Sequence, residues 1–240
     1  MANPIISRTE LAVGQKAMTV KGVVRKTGFM LALSTLSGIG LFFYALMSGL
    51  SASFVYMLAL GSMFAAFGLG LFLTFKPQMA KTLAVPYALL EGLFLGSVSL
   101  IAMRYAPSIP LTALSATFVT AAIMLGLYRS GVIKVTEKFR SILTSAIFAI
   151  LILYVIQWVM RLGFGSSIPY LFDGGMIAIG FSIFVILIAS FSLLLDFDNV
   201  ERGVAMGISS DYEWVYSVGI LATLVWMYIE FVRLLSYLQE

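Results

Sequence analysis

Seven long apolar runs divide this chain, and each is close to the ~20 residues that a helix needs to cross a hydrocarbon core. The runs lie at residues 27–49, 51–75, 83–103, 109–128, 139–160, 174–195 and 214–238. Hydrophobic residues make up 61% of the 240 residues and charged residues only 11%, which leaves too little polar surface for a water-soluble domain. The pattern predicts an all-α membrane protein with seven transmembrane helices, and it excludes a soluble globular enzyme.

Lysine and arginine are distributed unevenly between the two predicted sides of the membrane. Twelve lie in the N-terminal tail and in the connections after spans two, four and six, whereas only Arg104, Arg161 and Arg233 lie on the other side. This asymmetry predicts a cytoplasmic N-terminus and an external C-terminus. We therefore expect residues 1–26 to form a basic cytoplasmic tail without a signal peptide, and residues 27–240 to form one transmembrane domain. Because the basic residues are spread over separate short loops, we expect the lipid bilayer and no nucleic acid as a partner.

The chain contains no cysteine and no histidine. This excludes disulfides, zinc–thiolate sites, haem ligation by these residues, cysteine nucleophiles and Ser–His catalysis. An intramembrane aspartyl protease needs two aspartates beside a glycine turn, and no Gly-x-Gly-Asp is present. We expect neither an enzyme nor a bound cofactor.

Four carboxylates lie within or at the end of apolar runs: Glu91 in span three, Asp196 and Asp198 at the end of span six, and Glu230 in span seven. An ionised carboxylate at membrane depth costs several kcal/mol, so each should face the protein interior, be paired or be protonated. These four are the candidate functional residues. The other acids, including Glu213, are expected at water-facing positions.

Each candidate also has a structural interpretation. Asp196 and Asp198 are consistent with the water boundary of span six, and Glu91 with a protonated packing residue. Glu230 is followed at i+3 by Arg233, a possible local ion-pair partner. The spacing of Gly92 and Gly96 next to Glu91 suggests close helix approach.

Four stretches resemble the Bax inhibitor family, the transmembrane Bax-inhibitor-motif proteins, and most closely its bacterial branch. They are SLLLDFDN at residues 192–199, LVWMYIEFVRLL at 224–235, YALLEG at 87–92 and MTVKGVVRKT at 18–27. The resemblance covers nearly the whole chain. It implies three helical hairpins around a central seventh helix, in the bacterial inner membrane.

The resemblance also implies a pH-sensitive calcium leak, in which one acid on helix six and one on helix seven share a gating proton. Carried over, the helix-seven acid is Glu230 and the helix-six acid is Asp198 or Asp196. The bacterial pattern has Asp rather than Glu on helix seven, and a shorter connection between the acids. Glu91 is a possible part of the ion path, and Asp198 and Glu230 are possible transient Ca²⁺ ligands, with Ca²⁺ and protons as the permeant and regulating ions.

The gating mechanism that we expect is electrostatic. Two carboxylates about 4 Å apart at an effective dielectric of 20 repel each other by about 4 kcal/mol, so loss of the shared proton would push the two helices apart. Asp198 and Glu230 can share a proton only if helices six and seven both extend beyond the bilayer, with 199–207 and 211–216 as solvated helix ends. We expect this extension. Two alternatives stay open: a non-conducting regulator or scaffold of membrane proteins, and a proton-coupled transporter of a small solute.

Overall fold

The computed structural model describes residues 16–239, apart from the side chain of Leu162. These residues form seven long α-helices: α1 (Val20–Ser48), α2 (Ala52–Phe75), α3 (Ala80–Ala102), α4 (Ile109–Arg129), α5 (Glu137–Phe164), α6 (Gly175–Ala205) and α7 (Glu213–Tyr237). Short 3₁₀ turns at Pro77–Met79 and Ser210–Tyr212 precede α3 and α7. All seven helices are long and apolar enough to cross a membrane, which confirms the predicted fold class.

Polar side chains cap the N-termini of several of these helices. The hydroxyls of Thr19, Ser51 and Thr136 each accept a hydrogen bond from a backbone N–H in the first turn of α1, α2 and α5. Gly49 caps the end of helix α1 with a left-handed backbone (φ 63°) that suits glycine, and α2 begins three residues later. The first two helices therefore form the tight hairpin that their short connection predicts.

Helices α1 and α3 approach each other closely where both carry small residues. A methyl group added at Gly38 would lie 2.9 Å from the Gly92 carbonyl oxygen, and one at Gly96 would lie 2.7 Å from the Gly38 carbonyl oxygen. A methyl group at Gly92 would overlap the carbonyl oxygen of Ser34. The glycine spacing in span three thus marks a contact between two helix backbones. Helix α3 also continues through Pro86 without interruption.

Helix α6 runs past the end of its apolar stretch to Ala205. Its 31 residues span about 46 Å, more than the ~30 Å of a hydrocarbon core. The connection to α7 is short and contains Gly207, which has a positive φ of 67°. The expected extension of helix six beyond its acidic residues is therefore present, and so is the expected turn around residues 208–210.

The described residues fall into two compact units. The first combines the chain up to Ile101 with Asp196–Ala222, and the second combines Ala102–Leu195 with the chain from Thr223 onward. Helices α6 and α7 contribute to both units and have the largest buried shares of the seven helices. The candidate residues Glu91, Asp196 and Asp198 belong to the first unit, whereas Glu230 belongs to the second.

Candidate functional site

Glu230 lies in the apolar part of α7, and its side chain is completely buried (0% exposed). The neighbouring α7 residues Met227, Tyr228 and Val232 are buried as well. A carboxylate in such surroundings needs charged or hydrogen-bonding partners within the protein. The second unit supplies them from α5 and from α7 itself.

Two hydrogen-bond donors and one cation surround the Glu230 carboxylate. Its Oε1 accepts a hydrogen bond from the Tyr154 hydroxyl at 2.7 Å and from the Trp226 indole N–H at 3.2 Å. Its Oε2 lies 3.1 Å from Arg233 Nη1, but no described residue donates a hydrogen bond to it. The second oxygen is thus held by charge and not by a well-aligned hydrogen bond.

Tyr154 links the two charged groups of this cluster. Arg233 Nη1 donates to the Tyr154 hydroxyl at 2.7 Å, and that hydroxyl donates to Glu230. The guanidinium also lies over the Tyr154 ring, 4.7 Å from its centre. Because a guanidinium, a hydroxyl and an indole N–H all face the carboxylate, the arrangement suits an ionised Glu230.

The connection between α5 and α6 packs against the same cluster. The Phe172 ring stacks edge-on against Tyr154 at 5.9 Å and lies under the Arg233 guanidinium at 5.6 Å. The Tyr237 hydroxyl donates to the Phe172 carbonyl oxygen at 3.4 Å. Only 22% of the Arg233 side chain is exposed as a result. The guanidinium is therefore a buried partner of Glu230.

The two aspartates predicted on helix six both lie within α6 and are half-buried. Asp198 Oδ2 accepts a hydrogen bond from Arg202 Nε at 2.6 Å, one turn further along the helix. Asp198 is thus neutralised by a cation of its own helix, as Glu230 is by Arg233. The proton shared between helices six and seven stays a prediction.

Glu91 is buried in α3 with only 7% of its surface exposed. Its carboxyl group is hydrogen-bonded to the buried Tyr87, one turn earlier on the same helix. It lies next to Gly92, where α3 contacts α1. This burial agrees with both interpretations of Glu91, a packing residue and a residue of an ion path.

The expectation that Glu213 faces water is wrong. Glu213 is only 4% exposed, because its carboxylate lies against the first turns of α1, where Lys26 and Thr19 bind it. Among residues 16–239, no group of three or more acidic side chains is placed to hold a metal ion. Transient Ca²⁺ binding by Asp198 and Glu230 stays a prediction.

Sequence reasoning missed Tyr154 and Trp226. Both are aromatic residues in apolar runs that are rich in aromatics, so nothing in the local pattern distinguishes them from lipid-facing or packing residues. For Trp226, the i,i+4 spacing to Glu230 was a usable signal. For Tyr154, 76 residues away in sequence, no signal was available.

A family model described as Bax inhibitor 1 like matches residues 3–240. The chain belongs to this family. Comparison with curated proteins and with solved structures gives no match. Membership in the Bax inhibitor 1-like family, together with seven apolar helices, identifies an integral multi-pass membrane protein.

Proposed function

We propose that this Bax inhibitor 1-like protein is a pH-sensitive calcium leak in which Glu230 is the gating charge. The observation that carries the proposal is a completely buried carboxylate on α7 with one oxygen that accepts no hydrogen bond from any described residue. Family membership supports it as well. We further propose the bacterial inner membrane as its location, with the N-terminus in the cytoplasm.

The charges of the cluster favour a closed leak in the arrangement described here. Carboxylate oxygens are the ligands that Ca²⁺ prefers, but Glu230 is already neutralised by Arg233 at 3.1 Å. A guanidinium beside the carboxylate repels a divalent cation. Passage of Ca²⁺ therefore requires that the Arg233 side chain turns away from Glu230, which the Tyr154 hydroxyl that bridges the two groups opposes.

The same charges give the direction of the pH response. Protonation neutralises Glu230 while Arg233 keeps its positive charge, so the cluster becomes net positive and repels Ca²⁺ more strongly. Deprotonation restores the carboxylate. Calcium leak should therefore increase as pH rises.

Calcium flux into liposomes that contain the purified protein tests this proposal. We expect wild-type flux to rise with pH, and Glu230→Gln, which mimics the protonated state, to give low flux at every pH. The matched control is Glu137→Gln, an exposed carboxylate at the start of α5, which should keep the wild-type profile. A preserved pH profile in Glu230→Gln would refute Glu230 as the gate and leave its ion pair with Arg233 as a structural contact. Absence of flux in the wild type would refute the leak and favour a non-conducting regulator.

Asp198→Asn tests the proposed sharing of a proton with helix six. If Asp198 and Glu230 form one coupled unit, this substitution also removes the pH dependence, and the double substitution adds little to either single one. Additive effects would contradict a shared proton without affecting the leak itself. Asp196→Asn, measured in parallel, identifies which aspartate is involved.

A further inference from the structure

The residues immediately before α1 pair with the connection between α6 and α7. Met18 N–H donates to the Ile208 carbonyl at 2.7 Å, and Ser210 N–H donates to the Lys16 carbonyl at 2.8 Å. Ala17 and Ser209 face each other between these two bonds as an antiparallel bridge. We call residues 16–18 the N-terminal latch and residues 206–212 the α6–α7 linker.

The latch carries one large apolar side chain, and that side chain is buried. Met18 is only 2% exposed and forms a small core with Val23 of α1 and Val200 of α6. Its sulfur lies where a methyl group at Gly203 would approach it to 2.9 Å. The Met18 side chain of the latch therefore packs closely against the last turns of α6.

Ionic contacts next to the latch join α1 to the first residue of α7. Glu213 Oε1 accepts a hydrogen bond from Thr19 N–H at 2.9 Å, and Glu213 Oε2 lies 2.8 Å from Lys26 Nζ. Lys26 also donates to the Ser210 carbonyl at 2.9 Å. A methyl group at Gly22 would overlap the Glu213 carboxylate, so the absence of a side chain there lets the two helices make this contact.

We propose that the N-terminal latch is an autoinhibitory device that must release the α6–α7 linker before the leak can open. This inference rests on the proposed function. Glu213 and Glu230 lie on the same unbroken helix α7, about five turns apart. Any shift or rotation of α7 that moves Glu230 and Arg233 away from Tyr154 of α5, whose hydroxyl bridges them, also displaces Glu213 and the linker, which the latch and α1 hold in place.

The latch can open without unfolding the rest of the protein. Two backbone hydrogen bonds and the buried Met18 side chain hold it, whereas Lys16 and Ala17 are exposed to solvent. Segments with so few buried contacts open locally. The Lys26–Glu213 pair is largely buried, so its loss is the more demanding step.

The absence of cysteine from the chain allows a direct test. The hydrogen bonds on either side make Ala17 and Ser209 a non-hydrogen-bonded antiparallel pair, a geometry with Cα atoms about 4.5 Å apart that a disulfide can bridge. We expect that oxidation of the double variant Ala17→Cys/Ser209→Cys reduces calcium flux in liposomes to that of protein-free vesicles. Reductant should restore it. The two single variants, treated in the same way, should respond to neither reagent.

A second variant tests the opposite direction. Gly22→Ala pushes the Glu213 carboxylate away from α1 and should raise flux above that of the wild type. Gly28→Ala on the same helix is the matched control, because no atom lies within 4 Å of a methyl group there. A decrease of flux in Gly22→Ala, with Gly28→Ala unchanged, would contradict autoinhibition.

The possible outcomes distinguish a failure of the latch proposal from a failure of the proposed calcium leak. Unchanged flux in a double variant whose disulfide is verified by mass spectrometry would overturn the latch and leave the calcium leak intact. A wild-type protein and a reduced double variant that both lack flux would overturn the proposed function, and with it the latch as its inhibitor. Reversible loss of flux on oxidation alone supports both.

Discussion

At the scale of single residues, the Tyr154 hydroxyl holds the Glu230 cluster together. It accepts from Arg233 and donates to Glu230, both at 2.7 Å, and so connects a helix-five residue to both charged groups of helix seven. Its removal leaves a buried guanidinium and a buried carboxylate with one hydrogen bond fewer each. Buried polar groups that lose a partner retain most of their desolvation cost.

We therefore expect Tyr154→Phe to lower the free energy of unfolding by about 1–3 kcal/mol, the usual cost of an unsatisfied buried polar group. Tyr44→Phe is the control, because Tyr44 is 61% exposed on α1 and should change stability by less than about 0.5 kcal/mol. Titration with SDS in detergent micelles measures both. Equal stability of the two variants would show that the hydroxyl of Tyr154 contributes nothing to the cluster.

The sequence predicts the charged half of this cluster and not the aromatic half. Glu230 and Arg233 are recognisable because a charge in an apolar run is costly and needs a partner, and the partner lies one helical turn away. Tyr154 is reached only through the packing of α5 against α7, and Glu213 is misassigned for the same kind of reason. Ser210-Asp-Tyr-Glu213 has the spacing of a helix-capping box, but the carboxylate turns to α1 instead.

At the scale of helices, the close contact of α1 and α3 depends on glycines that the sequence marks only by their spacing. Gly38→Ala would place a methyl group 2.9 Å from the Gly92 carbonyl oxygen, and a backbone atom cannot move aside as a flexible side chain can. We expect a loss of about 1–3 kcal/mol in unfolding free energy, as for other overpacked cores. Thermal unfolding in detergent measures this effect.

Gly40→Ala, two residues further along α1, is the matched control. No atom lies within 4 Å of a methyl group at that position, so the substitution should be neutral or slightly stabilising through helix propensity. If both substitutions have the same effect, the contact between α1 and α3 does not limit stability. Hydropathy predicts all seven helices, but it cannot show which helices touch, because lipid-facing and protein-facing positions are both apolar.

At the scale of the whole molecule, orientation in the membrane follows from the basic residues. Seven spans and the excess of lysine and arginine on one side predict opposite locations for the two chain ends. A periplasmic-activity reporter fused after Glu240 should be active, whereas the same reporter inserted at Lys134, in the connection after α4, should be inactive. A reporter in the α1–α2 hairpin, on the predicted outer side, serves as the positive control. An inactive C-terminal fusion would show that one of the seven helices does not cross the membrane.

The backbone contact between α1 and α3 bears on which of the two paired segments, the N-terminal latch or the α6–α7 linker, would move. The main chains of α1 and α3 pack directly against each other at Ser34, Gly38 and Gly92, so we expect the two helices to move together. The N-terminal latch directly precedes α1, so we expect it to stay in place with α1. We expect the α6–α7 linker, which contains Gly207 with a positive φ, to be the segment that moves. If the proposed gating moves the linker, probes on Ser209 and on an α3 residue would change their separation, whereas probes on an α1 residue and on an α3 residue would keep theirs.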